Sequence, residues 1–366
     1  MPTLRYAFKK LFINSEALKY PFTEKVREKL NIPQEIINSP QVIREEMAVA
    51  ADPIGEGKKI IYLTPASGRF IKACPCSPQV IGCDYLVINS VLGCPLDCSY
   101  CVLQAYLTDP WITILVNEDK LTANLTLFLA SSRQTGVRLS TGELADSLAL
   151  EPLTGQAARL ARLFHISRGA ILELKTKTDY IAPFLSLPPS PYVVFSWSLN
   201  AETIVREEER GTSPLEARLK AAAELARLGH PVGFHFDPLV YFEGWEREYE
   251  EVINRLFRLV PAASVRWVSL GCLRFPEKFR KVIHARHRDR AIFFSEMVIG
   301  RDGKWRYFKP LRLLIYSQLV EMIKAYGGPQ TRLYFCMEDD ETWERVLKTK
   351  PEGRRGFARL FTPPGL

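Results

Sequence analysis

The chain has 366 residues, of which 47% are hydrophobic, and carries 49 Lys and Arg against 41 Asp and Glu, a formal charge of +8. A chain of this length buries a full core as one large α/β domain with additions or as two modest domains, which excludes a peptide module. The charge favours a polyanionic partner, although basic residues scattered over a surface give the same sum.

In chain order, residues 1–84 read as a mixed N-terminal region. Its first segment is basic and mixed, with no apolar run of the signal-peptide kind, and no later stretch approaches about 20 apolar residues, so no membrane span and a cytoplasmic location are expected. Helical patterns lie near residues 24–30 and 40–50, an apolar strand-like run at 59–63, and then a Pro- and Cys-rich loop, KACPCSPQVIGC.

Over residues 85–275 short apolar runs (DYLVIN, TILVN, VRLST, AILELKT, YVVFSWSLN, PVGFHFDPL and VRWVSL) alternate with helical patterns. Alternation of this kind predicts parallel βαβ units. About six units over roughly 185 residues fit an α/β partial (β/α)6 barrel better than a closed eight-unit barrel, which takes about 250. Within it, SPLEARLKAAAELARLG has apolar residues at helical spacing and runs into Gly229, a residue suited to the position just past a helix C-terminus. Residues 276–366 form a basic, aromatic extension containing KFRKVIHARHRDRAIFF, GRDGKWRYFKP and RLYFCMEDDETWERVL.

Eight cysteines stand at 74, 76, 83, 94, 98, 101, 272 and 336, six of them between 74 and 101. In a reducing compartment such crowding points to metal or redox chemistry, not to a disulfide framework. The segment from Gly93 to Cys101, GCPLDCSYC, follows the run DYLVIN, so a C-x3-C-x2-C loop leaves the carboxyl end of a strand, where barrels place their chemistry. Cys94, Cys98 and Cys101 suit three corners of a 4Fe-4S cluster, whereas an electron-transfer cluster normally takes four cysteines. The fourth iron is then open to chelate S-adenosylmethionine, whose one-electron cleavage gives a 5′-deoxyadenosyl radical. A structural zinc loop borrowing a distant fourth ligand is the plainer alternative.

The stretches GCPLDCSYCVLQAYL, FSWSLNAETIVREEERGTSPLEARLKAA, GHPVGFHFDPLVYFEGWEREY and GKWRY resemble the spore photoproduct lyase family, radical S-adenosylmethionine enzymes that repair a methylene-bridged thymine dimer in DNA. The resemblance spans roughly residues 70–345 and implies the radical enzyme's partial barrel with N-terminal and C-terminal extensions. It places Ser198 and Lys177 beside the cofactor and Tyr100 against its adenine. Gly142 and Glu143, at the end of a second barrel strand, would receive its methionine amino group. It also implies a DNA partner and an electron donor such as flavodoxin or ferredoxin.

Two positions depart from the family. Its hydrogen-returning cysteine is replaced by Glu143 in an ungapped alignment anchored on Leu153 and Thr154, and its relay tyrosine after the third cluster cysteine is Val102 here. A carboxylic acid cannot replace a thiol in that step, because its O–H bond is far harder to break homolytically. Cys336 or Cys272 is then expected as the donor, unless each is an inert buried thiol. The alternative is a radical enzyme for another substrate, a nucleotide or protein side chain. A non-catalytic, metal-dependent nucleic-acid binder is a third reading.

Cys74, Cys76 and Cys83, with Cys336 as a fourth thiolate, have the composition of a second iron-sulfur cluster or zinc site, or else of a tight packed loop. On the substrate side, Arg301, Lys304 and Arg306 interleave with Trp305 and Tyr307, near Arg312. Phosphates want the first kind and splayed bases the second. A hairpin about Asp302 and Gly303 with Trp305 in the core is the plainer reading of that segment.

Overall fold

The computed structural model describes residues 6–77, 79–83, 85–131, 136–166, 170–352, 357 and 360–362. Asp84, where the first region was set to end, and the first five residues lie outside these.

The dominant element is an open, eight-stranded sheet. Six parallel strands form its centre in chain order: Leu86–Ile88, Arg138–Ser140, Ile171–Thr176, Val193–Ser198, Val232–Leu239 and Val265–Cys272. Helices such as Gln156–Ile166, Leu215–Arg227 and Trp245–Leu259 cross between them, which is the expected partial (β/α)6 barrel. A seventh parallel strand, Leu333–Phe335, extends one edge, and an antiparallel strand, Ile71–Ala73, extends the other. Strand Val193–Ser198 is buried at every position, as a strand covered on both faces must be. Helix Leu215–Arg227 ends as its sequence predicts, with Gly229 at φ +89°.

One run goes elsewhere. TILVN, expected among the barrel strands, forms Ile112–Leu115 in a separate five-stranded sheet with Gln34–Ile37, Lys10–Asn14, Ile60–Thr64 and Val91–Leu92. This sheet has its own core around Leu11, Ile13, Ile61, Leu63, Ile112 and Ile114. A short apolar run carries no mark of which sheet it will join, because both burial environments reward the same residues. In the C-terminal extension, Met297–Ile299 and Lys304–Tyr307 form the antiparallel hairpin about Asp302 and Gly303.

Candidate active site

The carboxyl ends of the barrel strands open into one cavity of about 470 Å3. Cys94, Cys98 and Cys101 reach its wall on the loop that follows the first barrel strand. That loop starts at Gly93, whose φ of +93° and whose approach to the Trp111 carbonyl, 2.8 Å from where a Cβ would stand, exclude a side chain.

The loop is bolted from every side. Lys58 Nζ donates to the carbonyls of Cys94 (3.0 Å) and Leu96 (2.6 Å), and Gln104 Nε2 donates to the Cys98 carbonyl at 2.8 Å. The Ser99 hydroxyl donates to Glu208, and Asp97–Cys98 pairs as a short ribbon with Glu209–Arg210. Arg286 clamps Asp97 at 3.0 Å, and its guanidinium and His287 Nε2 both reach Gln104 Oε1. Burial, with Arg286 alongside, lowers the His287 pKa from 6.5 to about 4. The folded chain therefore keeps this imidazole neutral where the unfolded chain protonates it. The stability this represents is present above pH 6.5 and is lost as the pH falls through 6.5 toward 4. A melting temperature that drops across that window in the native chain, and less steeply in a His287→Gln variant, is the expected result.

Burial pushes the Cys94 thiol up to about 12 and the Cys98 thiol well above its ordinary value. Thiolates here thus call for a positive centre of the kind a metal cluster supplies. Among the described residues no three His, Cys, Asp or Glu are gathered as one metal ion requires. The cysteines of a cubane each take a different iron, so they need no such crowding.

The other expected cofactor residues share the cavity: Gly142 and Glu143 just beyond the second barrel strand, Lys177 just beyond the third and Ser198 at the end of the fourth. Gly142 packs onto the third strand so closely that a Cβ would lie 2.9 Å from Lys175 Cβ and 3.1 Å from its carbonyl. Gly142→Ala is expected to cost about 1–3 kcal/mol through this overpacking and to weaken cofactor binding, measured by chemical unfolding and by calorimetric titration with S-adenosylmethionine. Lys177 Nζ lies 5.7 Å from the centre of the Tyr100 ring. The Tyr100 hydroxyl donates to Glu209, which is ion-paired at 2.6 Å to the fully buried Arg218. Arg218 also donates to the Ser198 carbonyl at 3.0 Å, so one guanidinium ties the Tyr100 side of the site to the Ser198 side.

Sequence reading missed this pair, and likewise Asp146, whose carboxylate accepts from the Thr176 hydroxyl and the Lys177 amide, each at 2.7 Å, and fixes the end of the third strand. It missed Lys175 on the cavity wall, whose ammonium is held above its ordinary pKa, against burial, by Glu143, Glu173 and Asp237. Glu173 accepts from Ser196, His235 and Trp267; burial opposes its charge, but Arg138 and His235 hold it well below the usual carboxylate range. Glu143 accepts from the Tyr85 hydroxyl.

The upstream cysteines and Cys336 also line the cavity. Cys74 and Cys76 stand with their sulfurs 3.4 Å apart. Cys83 Sγ is 3.0 Å from an Arg138 nitrogen and Cys336 Sγ 3.2 Å from an Arg274 nitrogen. Cys272 is a correction: it is buried off the cavity, its amide bonded to the Tyr316 hydroxyl, and is not placed to donate there.

Of the expected substrate residues, Lys304 lines the cavity and Arg301 is exposed. Trp305 is partly buried on the hairpin, donating to Glu277 and stacked by Arg280 at 5.1 Å, and lies off the cavity wall. Two of these expectations are corrected. Tyr307 is fully buried, its hydroxyl accepting from the Tyr241 amide at 3.0 Å, and Arg306 is spent in buried ion pairs with Asp302 and Glu338. Arg312 is buried against Glu338 in the same way.

The spore photoproduct lyase family model matches residues 77–325. The spore photoproduct lyase of Bacillus subtilis is 28% identical over 170 residues, 46% of this chain and 50% of the relative. That of Geobacillus is 26% identical over 216 residues, 58% of this chain and 63% of the relative. These sequence matches thus span about half to three-fifths of the curated relatives. A solved spore photoproduct lyase complexed with dinucleoside spore photoproduct superposes with a TM-score of 0.78 at 22% identity, covering 90% of this chain and 99% of that one. A mutant lyase with bound AdoMet and the same dinucleoside gives 0.76 at 21% identity, over 90% and 99%. With the matched segment taking in the three-cysteine loop and all six central barrel strands whole, the chain belongs to the spore photoproduct lyase family.

Proposed function

We propose that this chain is a radical S-adenosylmethionine lyase that reverses a methylene-bridged thymine cross-link in DNA. The observation that carries the reading is the convergence, on one cavity, of the three thiols of the Cys94–Cys101 loop with Gly142, Glu143, Lys177 and Ser198. When bound, a 4Fe-4S cluster and S-adenosylmethionine supply a carbon radical able to abstract hydrogen from a modified pyrimidine.

The chain's own residues hold and shield that chemistry. Cys94, Cys98 and Cys101 would hold the cluster. Lys177 offers a cation to the cofactor carboxylate, Glu143 an anion to its amino group, and Tyr100 a ring to its adenine. On the substrate side, Lys304 and Lys278 in the wall and the exposed Arg301, Arg280 and Lys281 would supply phosphate contacts. Lys278 also sits over the half-exposed Tyr106 ring at 5.3 Å, a cation and an aromatic face at the cavity wall. A reduced flavodoxin or ferredoxin in the cytoplasm would supply the electron. Among the described residues no helix is long and apolar enough to cross a membrane.

The test is anaerobic reconstitution with iron and sulfide, reduction, and incubation with S-adenosylmethionine and DNA carrying the cross-link, following 5′-deoxyadenosine and free thymines. Reversal is the expected result. 5′-Deoxyadenosine without reversal would favour another nucleotide or a protein side chain as substrate, the reading to which Glu143 and Val102 lend weight. Affinity for the damaged duplex is expected to fall steeply between low and moderate salt, as phosphate contacts require.

A further inference from the structure

A pyrimidine radical left by bond cleavage must regain a hydrogen atom, and the cavity holds four thiols beyond the three of the cluster loop. Two of them have arginine nitrogens against their sulfurs, Cys83 with Arg138 and Cys336 with Arg274. The other two face each other: Cys74 Sγ and Cys76 Sγ are 3.4 Å apart, both are partly accessible, and both line the cavity. Their placement is built. Cys74 follows the edge strand Ile71–Ala73 and its amide donates to the Tyr85 carbonyl at 3.1 Å, while the Cys76 amide turns back to the Cys74 carbonyl at 2.8 Å. Gly82 closes over Cys76, where a Cβ would stand 3.0 Å from its sulfur.

We infer that Cys74 and Cys76 act together as the hydrogen-atom donor of this site, Cys74 giving the hydrogen and Cys76 sharing the sulfur radical that results. This rests on the radical reading above. The S–H bond of Cys74 breaks homolytically as a C–H bond forms on the pyrimidine radical, leaving the odd electron on sulfur. The neighbouring Cys76 thiolate, favoured first by its hydrogen bond with Cys74 and then by the cationic Arg274 and Lys304, against burial and the Glu143 carboxylate, binds that sulfur as a three-electron S–S bond carrying one negative charge. The pair then returns one electron to the oxidised one-electron carrier, of the flavodoxin or ferredoxin class, and becomes a disulfide. One thiol and one thiolate have thus yielded one hydrogen atom, one electron and one S–S bond. A dithiol reductant resets the pair for the next turnover.

The two sulfurs need little movement for this, since they already touch, whereas a lone thiol would have to hold an unshared radical. Guanidinium groups against Cys83 and Cys336 also argue against all four sulfurs being ligands of a divalent cation.

Two labels on the reconstituted chain separate the steps. Deuterated substrate reports abstraction, as deuterium in 5′-deoxyadenosine. Unlabelled substrate in D2O, which exchanges thiol hydrogens, reports donation, as solvent deuterium in the repaired thymine. Cys74→Ser and Cys76→Ser are expected to keep the first and to lose the second by about tenfold or more, while Cys272→Ser, off the cavity, keeps both. Mass spectrometry after alkylation is expected to find a Cys74–Cys76 disulfide in the unsubstituted holoprotein after one turnover without added thiol, and in the cluster-free chain after mild oxidation with diamide. Solvent deuterium retained in Cys74→Ser, or a disulfide that pairs Cys74 elsewhere, overturns the inference while leaving the radical reading standing. No substrate deuterium in 5′-deoxyadenosine from the unsubstituted chain overturns both.

Discussion

Cys98→Ala is expected to bring the iron content from about four per chain to near zero after reconstitution, and 5′-deoxyadenosine formation down by about a thousandfold or more. The thiol is buried in the cavity wall, and the other two cysteines of its loop, Cys94 and Cys101, are themselves assigned to the cluster, so none is spare to replace it. The backbone around it does not depend on the metal. Lys58, Gln104, Ser99 and Asp97 anchor it through contacts to Glu208, Arg286 and main-chain carbonyls, and the ribbon with Glu209–Arg210 keeps its register. The variant should therefore retain a native circular dichroism spectrum and cooperative unfolding. A loss of fold together with the iron would mean that the cluster, not the surrounding bonds, shapes the loop.

Arg218→Met is expected to cost about 3–5 kcal/mol, the range for breaking one side of a buried ion pair. Arg218 is 0% exposed and bonds to Glu209, to the Ser213 and Ser198 carbonyls and to the Thr212 hydroxyl. Removing it strands the Glu209 carboxylate, whose pKa is held low, against burial, by Arg218 and Lys177. Adding Glu209→Gln should recover part of the loss, because the unpaired charge goes with it. Denaturant unfolding of the two single variants and the double gives the coupling directly. Cofactor affinity should not recover with stability, since both the Tyr100 hydroxyl and the Ser198 backbone lose their support.

The legible parts of this molecule are those where chemistry and period coincide. C-x3-C-x2-C after an apolar run marks a loop at a strand end, and the alternation through VVFSWS and VGFHFDPL marks a parallel sheet; both are local signals. Glu209 was not legible. It sits in EEERG, which reads as a solvated charge run, yet it is 4% exposed because the ribbon with Cys98 turns it inward, and only long-range pairing decides that. Arg306 and Tyr307 misled for the converse reason. A basic and aromatic alternation looks like a nucleic-acid surface, but on the hairpin successive residues face opposite sides, and Glu338 waits thirty-two residues on to take the arginine. The N-terminal sheet was hidden because its strands come from five separate segments with no repeat to join them.

The open sheet has a further meaning for the order of events in time. Its edges are Ile71–Ala73 and Leu333–Phe335, and the gap between the loops that follow them is spanned by the isolated pairing of Ile81 with Glu338, amide to carbonyl at 2.9 Å. A chain made from its N-terminus presents Cys94, Cys98 and Cys101 long before residue 333 exists to complete that wall. Delivery of iron and sulfide to the nascent half-barrel thus meets an open trough, and the last strand arrives as the stave that makes a vessel of it.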